Sequence, residues 1–105
     1  MSRQIVPENI DAVIHERVRL SIISTLAMAP ELSFKELKEM LGLTDGNLSA
    51  HSRTLEEAGY IEIVKSFRDR RPHTVMRLTR KGREAFQRYL ELLRTIIDQG
   101  AKTGE

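Results

Sequence analysis

Residues 32–60, "LSFKELKEMLGLTDGNLSAHSRTLEEAGY", decide the fold, because they contain two helix starts close together. Ser33 and Glu36 match a capping box, which predicts a helix that begins directly after Ser33. Gly42 fits the left-handed position that follows the last turn of such a helix. Thr44 is the next candidate N-cap, only two residues later. The segment therefore predicts two short helices joined by a tight turn.

The second of these helices carries apolar residues at helical spacing until Gly59 ends it. Leu48, His51, Leu55 and Ala58 cluster within about 80° of one another at 100° per residue, so we expect this side to face the core. Two short helices with a glycine in the turn between them are typical of a helix-turn-helix motif.

A β-hairpin is predicted after the motif. "YIEIVKSF", residues 60–67, alternates in side-chain character and is rich in β-branched residues, and "HTVMRLT", residues 73–79, follows a basic turn that contains Pro72. The tip of this hairpin lies within residues 66–75, "SFRDRRPHTV". Thr79 then caps a final helix.

A further helix is predicted before the motif, from a cap at Asn9 or Asp11 to about Met28. The apolar residues in its second half cover an arc of about 200°, which is wider than one core-facing stripe needs. We expect one side of this arc to meet a partner chain. Its members are Val18, Leu20, Ile22, Ile23, Leu26 and Ala27.

Length and composition favour one globular domain. The chain has 105 residues, 40% of them hydrophobic and 30% charged. It contains no cysteine, which excludes disulfides, thiolate metal sites and cysteine nucleophiles. No signal-peptide pattern or apolar run long enough for a membrane span is present, so we expect a cytoplasmic protein.

Positive charge is concentrated in one part of the chain. Residues 65–83 carry eight cationic side chains and one acid, Asp69, for a net charge of +7. The whole chain has a net charge of +2, so the remainder carries −5. Such segregation indicates a local anionic partner, with nucleic acid the first candidate. The alternative is a solvated hairpin that happens to be basic.

The order helix, helix, turn, helix, hairpin, helix is that of a mainly α winged helix-turn-helix domain. The sequence resembles the small single-domain transcriptional regulators related to the MarR and ArsR groups. The resemblance rests on "GLTDGNLSAHSRTLEEAGYIE", the arginine-rich wing and "RLTRKGREAFQRYL", and it covers about residues 31–97. Ser52 departs from the pattern, since relatives usually carry a leucine there. We expect residues 9–79 to form the core and wing, 80–98 a dimerisation helix and 99–105 a flexible tail.

The resemblance implies a transcriptional regulator that binds double-stranded DNA, and the winged-helix architecture places the third helix in the major groove and the tip of the wing on the flanking backbone or in the minor groove. Candidate base-reading residues are Asn47, Ser49, Ala50, Arg53 and Thr54. Candidate phosphate contacts at helix starts are Ser33, Lys35, Thr44, Gly46, Arg80 and Lys81. Candidate contacts on the wing are Lys65, Arg68, Arg70, Arg71, His73 and Arg77.

Dimerisation is predicted to use the first and last helices. In the last helix, apolar residues fall at heptad a and d spacing, with further apolar residues beside them. The predicted dimer interface comprises Val18, Ile22, Phe86, Tyr89, Leu90, Leu93, Ile96 and Ile97.

Other functions have less support in the sequence. The three histidines lie on different predicted elements without a convincing acidic cluster, so no metal site or cofactor is predicted. Ser49 and His51 point to nearly opposite sides of a helix, and no catalytic arrangement appears. Two alternatives stay open, namely a protein-interaction module that binds an acidic partner, and a regulator with a small-molecule pocket at the dimer interface.

Overall fold

A computed structural model describes the backbone of residues 8–103 and the side chains of residues 8–100. Within that range the chain forms four helices and a three-stranded antiparallel sheet, which confirms the predicted winged-helix architecture. The elements are α1 (Arg17–Leu26), β1 (Leu32–Ser33), α2 (Phe34–Leu41), α3 (Asp45–Glu57), β2 (Ile61–Arg68), β3 (Arg71–Leu78) and α4 (Arg80–Thr103).

The helix-turn-helix motif has the predicted caps. The Ser33 hydroxyl accepts a hydrogen bond from the Glu36 N–H at 3.0 Å, and the Glu36 carboxylate accepts one from the Ser33 N–H at 2.9 Å. Gly42 adopts the left-handed conformation with φ of 63°. The Thr44 hydroxyl accepts from the Asn47 N–H at 3.1 Å and starts α3. These local hydrogen bonds set the angle at which α3 leaves the turn.

The first helix is shorter than predicted. It begins at Arg17, because Glu16 is the N-cap and accepts a hydrogen bond from the Arg19 N–H. The proposed cap at Asn9 or Asp11 was wrong, since the Asp11 carboxylate instead accepts from the N–H groups of Val13 and Ile14 in a preceding turn. The helix ends at Leu26 and does not reach Met28.

Helix α1 lies at the centre of the core. Val18, Ile22, Ile23 and Leu26 are buried in one cluster with residues of α2, α3, the sheet and α4. These four members of the apolar arc are therefore covered by the chain's own elements, so the expectation that they meet a partner was wrong. The other two members, Leu20 and Ala27, are half-buried.

The sheet has the strand order β1-β3-β2. The two residues of β1 pair with Val75 and Met76, and this short strand was not predicted. Strands β2 and β3 pair continuously from Ile61↔Leu78 to Arg68↔Arg71. The turn consists of only Asp69 and Arg70, both at positive φ (52° and 66°), so most of the predicted basic tip belongs to the strands.

Helix α4 begins where the hairpin ends. The Thr79 hydroxyl accepts from the Gly82 N–H at 2.9 Å and donates to the Gly59 carbonyl at 2.7 Å, which confirms Thr79 as the cap. The helix has 24 residues and a length of about 36 Å at 1.5 Å per residue. It includes residues 99–103, which were predicted as tail, while residues 104 and 105 lie outside the described range.

The first turn of α4 packs closely against the end of the helix-turn-helix motif. A Cβ atom at Gly82 would collide with the backbone carbonyl of Tyr60, whereas a Cβ atom at Gly100 would meet nothing within 4 Å. We expect Gly82→Ala to lower the free energy of unfolding by about 3 kcal/mol, because backbone atoms must move to admit the methyl group. Gly100→Ala is the matched control and should leave the free energy of unfolding unchanged or slightly raised. Urea denaturation of the wild type and the two variants measures both effects. An equal loss of stability in the two variants would contradict the packing described.

Candidate nucleic-acid interface

Helix α3 presents a polar face to solvent. Leu48, Ser52 and Leu55 are buried, and the residues on the opposite side are exposed, as the helical phase predicted. The exposed candidates for base reading are Asn47, Ser49, Ala50 and Arg53, with Thr54 half-buried beside them. The Thr54 hydroxyl donates to the Ala50 carbonyl at 3.3 Å. The first half of α3 therefore offers hydrogen-bonding groups on one continuous surface.

At the starts of α2 and α3, several candidate phosphate-binding groups already make contacts within the chain. At α2, the hydrogen bonds from Ser33 stabilise the Glu36 carboxylate and lower its pKa, so a negative charge already lies at this helix end. At α3, the Thr44 hydroxyl is used in capping, and Asp45 forms an ion pair with Lys38 at 3.0 Å. Lys35 is exposed in the first turn of α2.

His51 fastens α3 to the start of α1. It was predicted to face the core, but it is half-buried at the edge, with its Nδ1 3.1 Å from Arg19 Nη1 and 3.5 Å from Glu16 Oε1. Burial acts to raise the pKa of Glu16, but the hydrogen bond from the Arg19 N–H and the nearby His51 and Arg19 side chains outweigh it and lower that pKa. These contacts hold α3 against the start of α1 on the side away from its exposed face. Sequence reasoning missed it because the histidine lies 32 residues from Arg19.

A cleft of about 580 Å³ runs between α3 and the sheet. Arg53 lines it from the helix side and Lys65 from the strand side, while Ser52 and Met76 form part of its wall. Ser52 is only 1% exposed, and its hydroxyl lies 3.5 Å from the Met76 sulfur, toward which it donates. A small side chain thus occupies the position at which the resemblance implies a leucine. The cleft brings the base of the wing next to the middle of α3.

The tip of the wing gathers positive charge in an unfavourable local arrangement. Arg68 and Arg71 are directly opposite each other, and Arg70 adopts a left-handed conformation. Like charges in opposed strand positions and a non-glycine residue at positive φ both destabilise a hairpin. All three arginines are exposed, and none of them forms an ion pair with an acid in the described part of the chain. Residues that break local rules in this way often mark a functional site.

Two of the predicted wing contacts, Arg77 and His73, are less available to DNA than the arginines at the tip. Arg77 forms ion pairs with Glu31 at 3.0 Å and Glu62 at 3.4 Å, so acids within the chain offset its charge. His73 is half-buried and pairs across the strands with Ser66.

The predicted cations at the start of α4 are not near the wing tip. Arg80 follows the end of β3. That end lies about 23 Å from the tip of the wing, because the strand rises about 3.3 Å per residue from Arg71 to Leu78. The Lys81 ammonium lies 5.9 Å from the centre of the Tyr60 ring. The structure does not bring these two cations together with Arg68, Arg70 and Arg71.

The candidate dimer surface is narrower than predicted. Val18, Ile22 and Tyr89 are 7%, 0% and 4% exposed, respectively, so this part of the predicted interface was wrong. The Tyr89 hydroxyl also bonds His15 Nδ1 at 2.9 Å. The remaining members lie on α4, where Leu90 and Ile97 are 47% and 68% exposed and Phe86, Leu93 and Ile96 are half-buried.

Other kinds of site find little support. Across residues 8–100, no group of three or more His, Asp or Glu side chains is arranged to hold a metal ion. Among the described helices, none is both long and apolar enough to cross a membrane.

The chain is similar to several known proteins. It is 44% identical over 73 residues to an uncharacterized protein of Methanocaldococcus jannaschii, a match that covers 70% of this chain and 79% of the relative. The structure of a transcriptional regulator homologue from Pyrococcus horikoshii is 36% identical, with a TM-score of 0.78, and the match covers 83% of this chain and 86% of that one.

More distant structures share the fold. MarR superimposes with a TM-score of 0.70 at 22% identity, over 83% of this chain and 63% of its own. Further structures of this fold include complexes with DNA. The family model described as a winged helix DNA-binding domain matches residues 18–97, which include α3, the wing and most of α4. The chain therefore belongs to the family of winged helix DNA-binding domains, and MarR and an ArsR family regulator share its fold.

Proposed function

We propose that this chain binds double-stranded DNA at specific sequences, with the first half of α3 in the major groove and the wing on flanking DNA. The observation that carries the proposal is the position of the exposed α3 face beside a wing whose three tip arginines have no acidic partner within the described residues. The cleft lined by Arg53 and Lys65 joins these two surfaces. A duplex lying across both would meet positive charge along its backbone.

Base reading is assigned to the first half of α3. The Arg53 guanidinium can donate two hydrogen bonds to guanine, and the Asn47 amide can pair with adenine. Ser49, Ala50 and Thr54 complete the proposed base-reading set. Glu56 and Glu57 follow in the second half, where they repel phosphates and keep that end of the helix out of the groove.

Phosphate binding is assigned chiefly to the wing and to the first turns of α2 and α3. The proposed contacts are Lys35, Thr44, Gly46, Lys65, Arg68, Arg70, Arg71 and His73. Ser33 and Arg77 contribute less in this proposal, because each is already bonded to an acid of its own chain. Arg80 and Lys81 would contact only DNA that extends past the base of the wing.

We further propose a homodimer formed through α4. Leu90, Leu93 and Ile97 lie along one shallow groove of this helix together with Glu91, Arg94 and Asp98. A line of apolar residues, of which Leu90 and Ile97 are exposed, flanked by charges of both signs, suits a paired helix. Two subunits would then place their α3 helices about 34 Å apart, so that each reads one half of a palindrome.

An effector site has one observation in its favour. A depression of about 420 Å³ lies between the turn before α1 and the side of α4, with Asp11, Arg88 and Tyr89 among its lining residues. A ligand held there would link the N-terminal turn to the proposed dimerisation helix. A rise in melting temperature with added ligand would identify such a compound.

Removing wing charge tests DNA binding most simply. Fluorescence anisotropy on a random-sequence duplex across a salt series compares the wild type with the Arg68→Ala/Arg71→Ala variant. We expect the slope of log K against log salt to flatten by about 0.9 for each phosphate that the variant no longer neutralises. The control Arg17→Ala/Arg88→Ala removes the same charge from α1 and α4 and should keep the wild-type slope. Salt-independent binding by the wild type, or equal slopes for the two variants, would favour a protein-interaction role.

Substitution of the turn residue Arg70 should change the stability of the protein and its affinity for DNA in opposite directions. Arg70→Gly relieves the left-handed strain and creates an Asp-Gly turn, so we expect a gain of about 0.5–1 kcal/mol in stability. It also removes a proposed phosphate contact, so affinity for DNA should fall. Arg70→Lys keeps both the charge and the strain, and should change neither property greatly. Thermal unfolding and anisotropy measure the two effects, and a variant that gains stability without losing affinity would remove Arg70 from the DNA site.

Charges placed on α4 test the dimer. We expect Leu90→Glu/Ile97→Glu to sediment as a monomer at micromolar concentration, because the acids would be buried opposite their own copies. Stability of the monomer should be kept, since both side chains are exposed in the single chain. Thr95→Glu, which lines the depression and not the apolar groove, is the control on the same helix. A monomeric wild type would exclude the proposed dimer.

A further inference from the structure

The wing carries a large apolar side chain that the fold does not cover. Phe67 is 78% exposed on β2, next to the tip of the hairpin. Its cross-strand partner is Pro72, so two apolar residues face each other where the rest of the tip is charged. Neither of them belongs to the hydrophobic core cluster. The two residues form a small exposed apolar patch within a charged surface.

Strand alternation shows which side of the wing carries the ring. Phe67 shares a strand face with Lys65 and Ile63, because successive side chains alternate between faces. Ile63 and Lys65 both line the cleft beside α3. Phe67 therefore continues the α3-facing side of the wing, about 13 Å beyond Ile63 at 3.3 Å per residue.

Three arginines lie next to the ring along the hairpin, between it and the end of the turn. Arg68 and Arg71 follow Phe67 and precede Pro72, so they project from the other face of the same two strands, and Arg70 lies in the turn. A phenyl ring within such a cluster fits a surface that has phosphates on its edges and apolar sugar and base atoms between them. The minor groove of DNA has this chemistry, and proteins that bind it often combine cations with an apolar wedge.

We propose that Phe67, with Pro72 beside it, is an apolar wedge that enters the minor groove adjacent to the bases faced by α3. This inference rests on the proposed function of the wing. The ring packs against deoxyribose and enters partly between the bases of one step, while Arg68, Arg70 and Arg71 reach neighbouring phosphates. Because a wedge must open a base step, binding favours sites with a flexible pyrimidine–purine step under the wing.

Substitution of the ring tests the contact by affinity. We expect Phe67→Ala to weaken binding to duplex DNA by about tenfold, a value in the range of aromatic contacts with bases. The slope of log K against log salt should stay that of the wild type, since a phenyl ring releases no counterions. Phe67→Leu should restore part of the affinity. Met28→Ala removes a side chain that is 87% exposed in the loop after α1, and this variant should bind as the wild type does.

A fluorescent replacement tests where the ring lies. The chain contains no tryptophan, so Phe67→Trp introduces a single indole reporter. We expect duplex DNA to quench the indole emission and to shield the indole from acrylamide, and we expect netropsin, which occupies the minor groove, to reverse both effects on A·T-rich duplexes. If DNA quenches the indole and netropsin does not reverse the quenching, the minor-groove assignment is overturned.

The remaining outcomes separate this inference from the proposed function. If the wild type binds DNA with a steep salt slope but Phe67→Ala binds equally well and DNA does not quench the indole of Phe67→Trp, the wedge is excluded and DNA binding stands. If the wild type shows no salt-dependent binding, both proposals fail. If Phe67→Ala instead alters the sedimentation coefficient of the free protein, the ring contacts another protein chain and the wedge is excluded.

Discussion

The burial of α1 is the constraint on which the rest of the structure depends. Ile22, Ile23 and Leu26 are fully buried, and α2, α3, the sheet and α4 all contribute to the cluster around them. Since Leu48 and Leu55 must face this cluster, the opposite side of α3 faces solvent. The exposed surface that we assign to base reading is therefore a consequence of core packing. The contacts of His51 with Glu16 and Arg19 hold the same helix from its polar edge.

Positive charge is unevenly distributed along the wing. Glu31 and Glu62 form ion pairs with Arg77 at the base of the wing, whereas Arg68, Arg70 and Arg71 at its tip have no such partners within the described residues. The net positive charge is thus offset near the core and left exposed at the periphery. The hairpin tolerates opposed arginines and a left-handed arginine, which is understandable if a bound anion relieves the repulsion.

Features set by neighbouring residues could be predicted from the sequence. The capping box at Ser33, the left-handed Gly42 and the N-cap at Thr44 depend on contacts within a few residues, and all three are confirmed. The hairpin followed from alternation of side chains along β2. The two-residue strand β1 could not be predicted, because so short a segment has no periodicity and forms only through pairing with Val75 and Met76.

Errors arose where the outcome depended on distant residues. An apolar arc on α1 indicates burial but does not say what covers it, so Val18 and Ile22 were assigned to a partner chain when their own core encloses them. Asp11 looked like a helix cap, yet its carboxylate bonds a turn and also accepts from the Tyr60 hydroxyl, 49 residues away. Burial and this hydrogen bond raise the pKa of Tyr60 to about 12. Arg77 likewise meets Glu31 across 46 residues.

The central claim is that the first half of α3 and the tip of the wing form one DNA-binding surface. An amide NMR titration with a duplex is the most direct measurement, because a chain of 105 residues gives resolved signals for both elements. The account predicts that the largest shift changes occur together in residues 44–54 and 65–73, with smaller ones along α4. Changes confined to α4, or to the wing without α3, would contradict it.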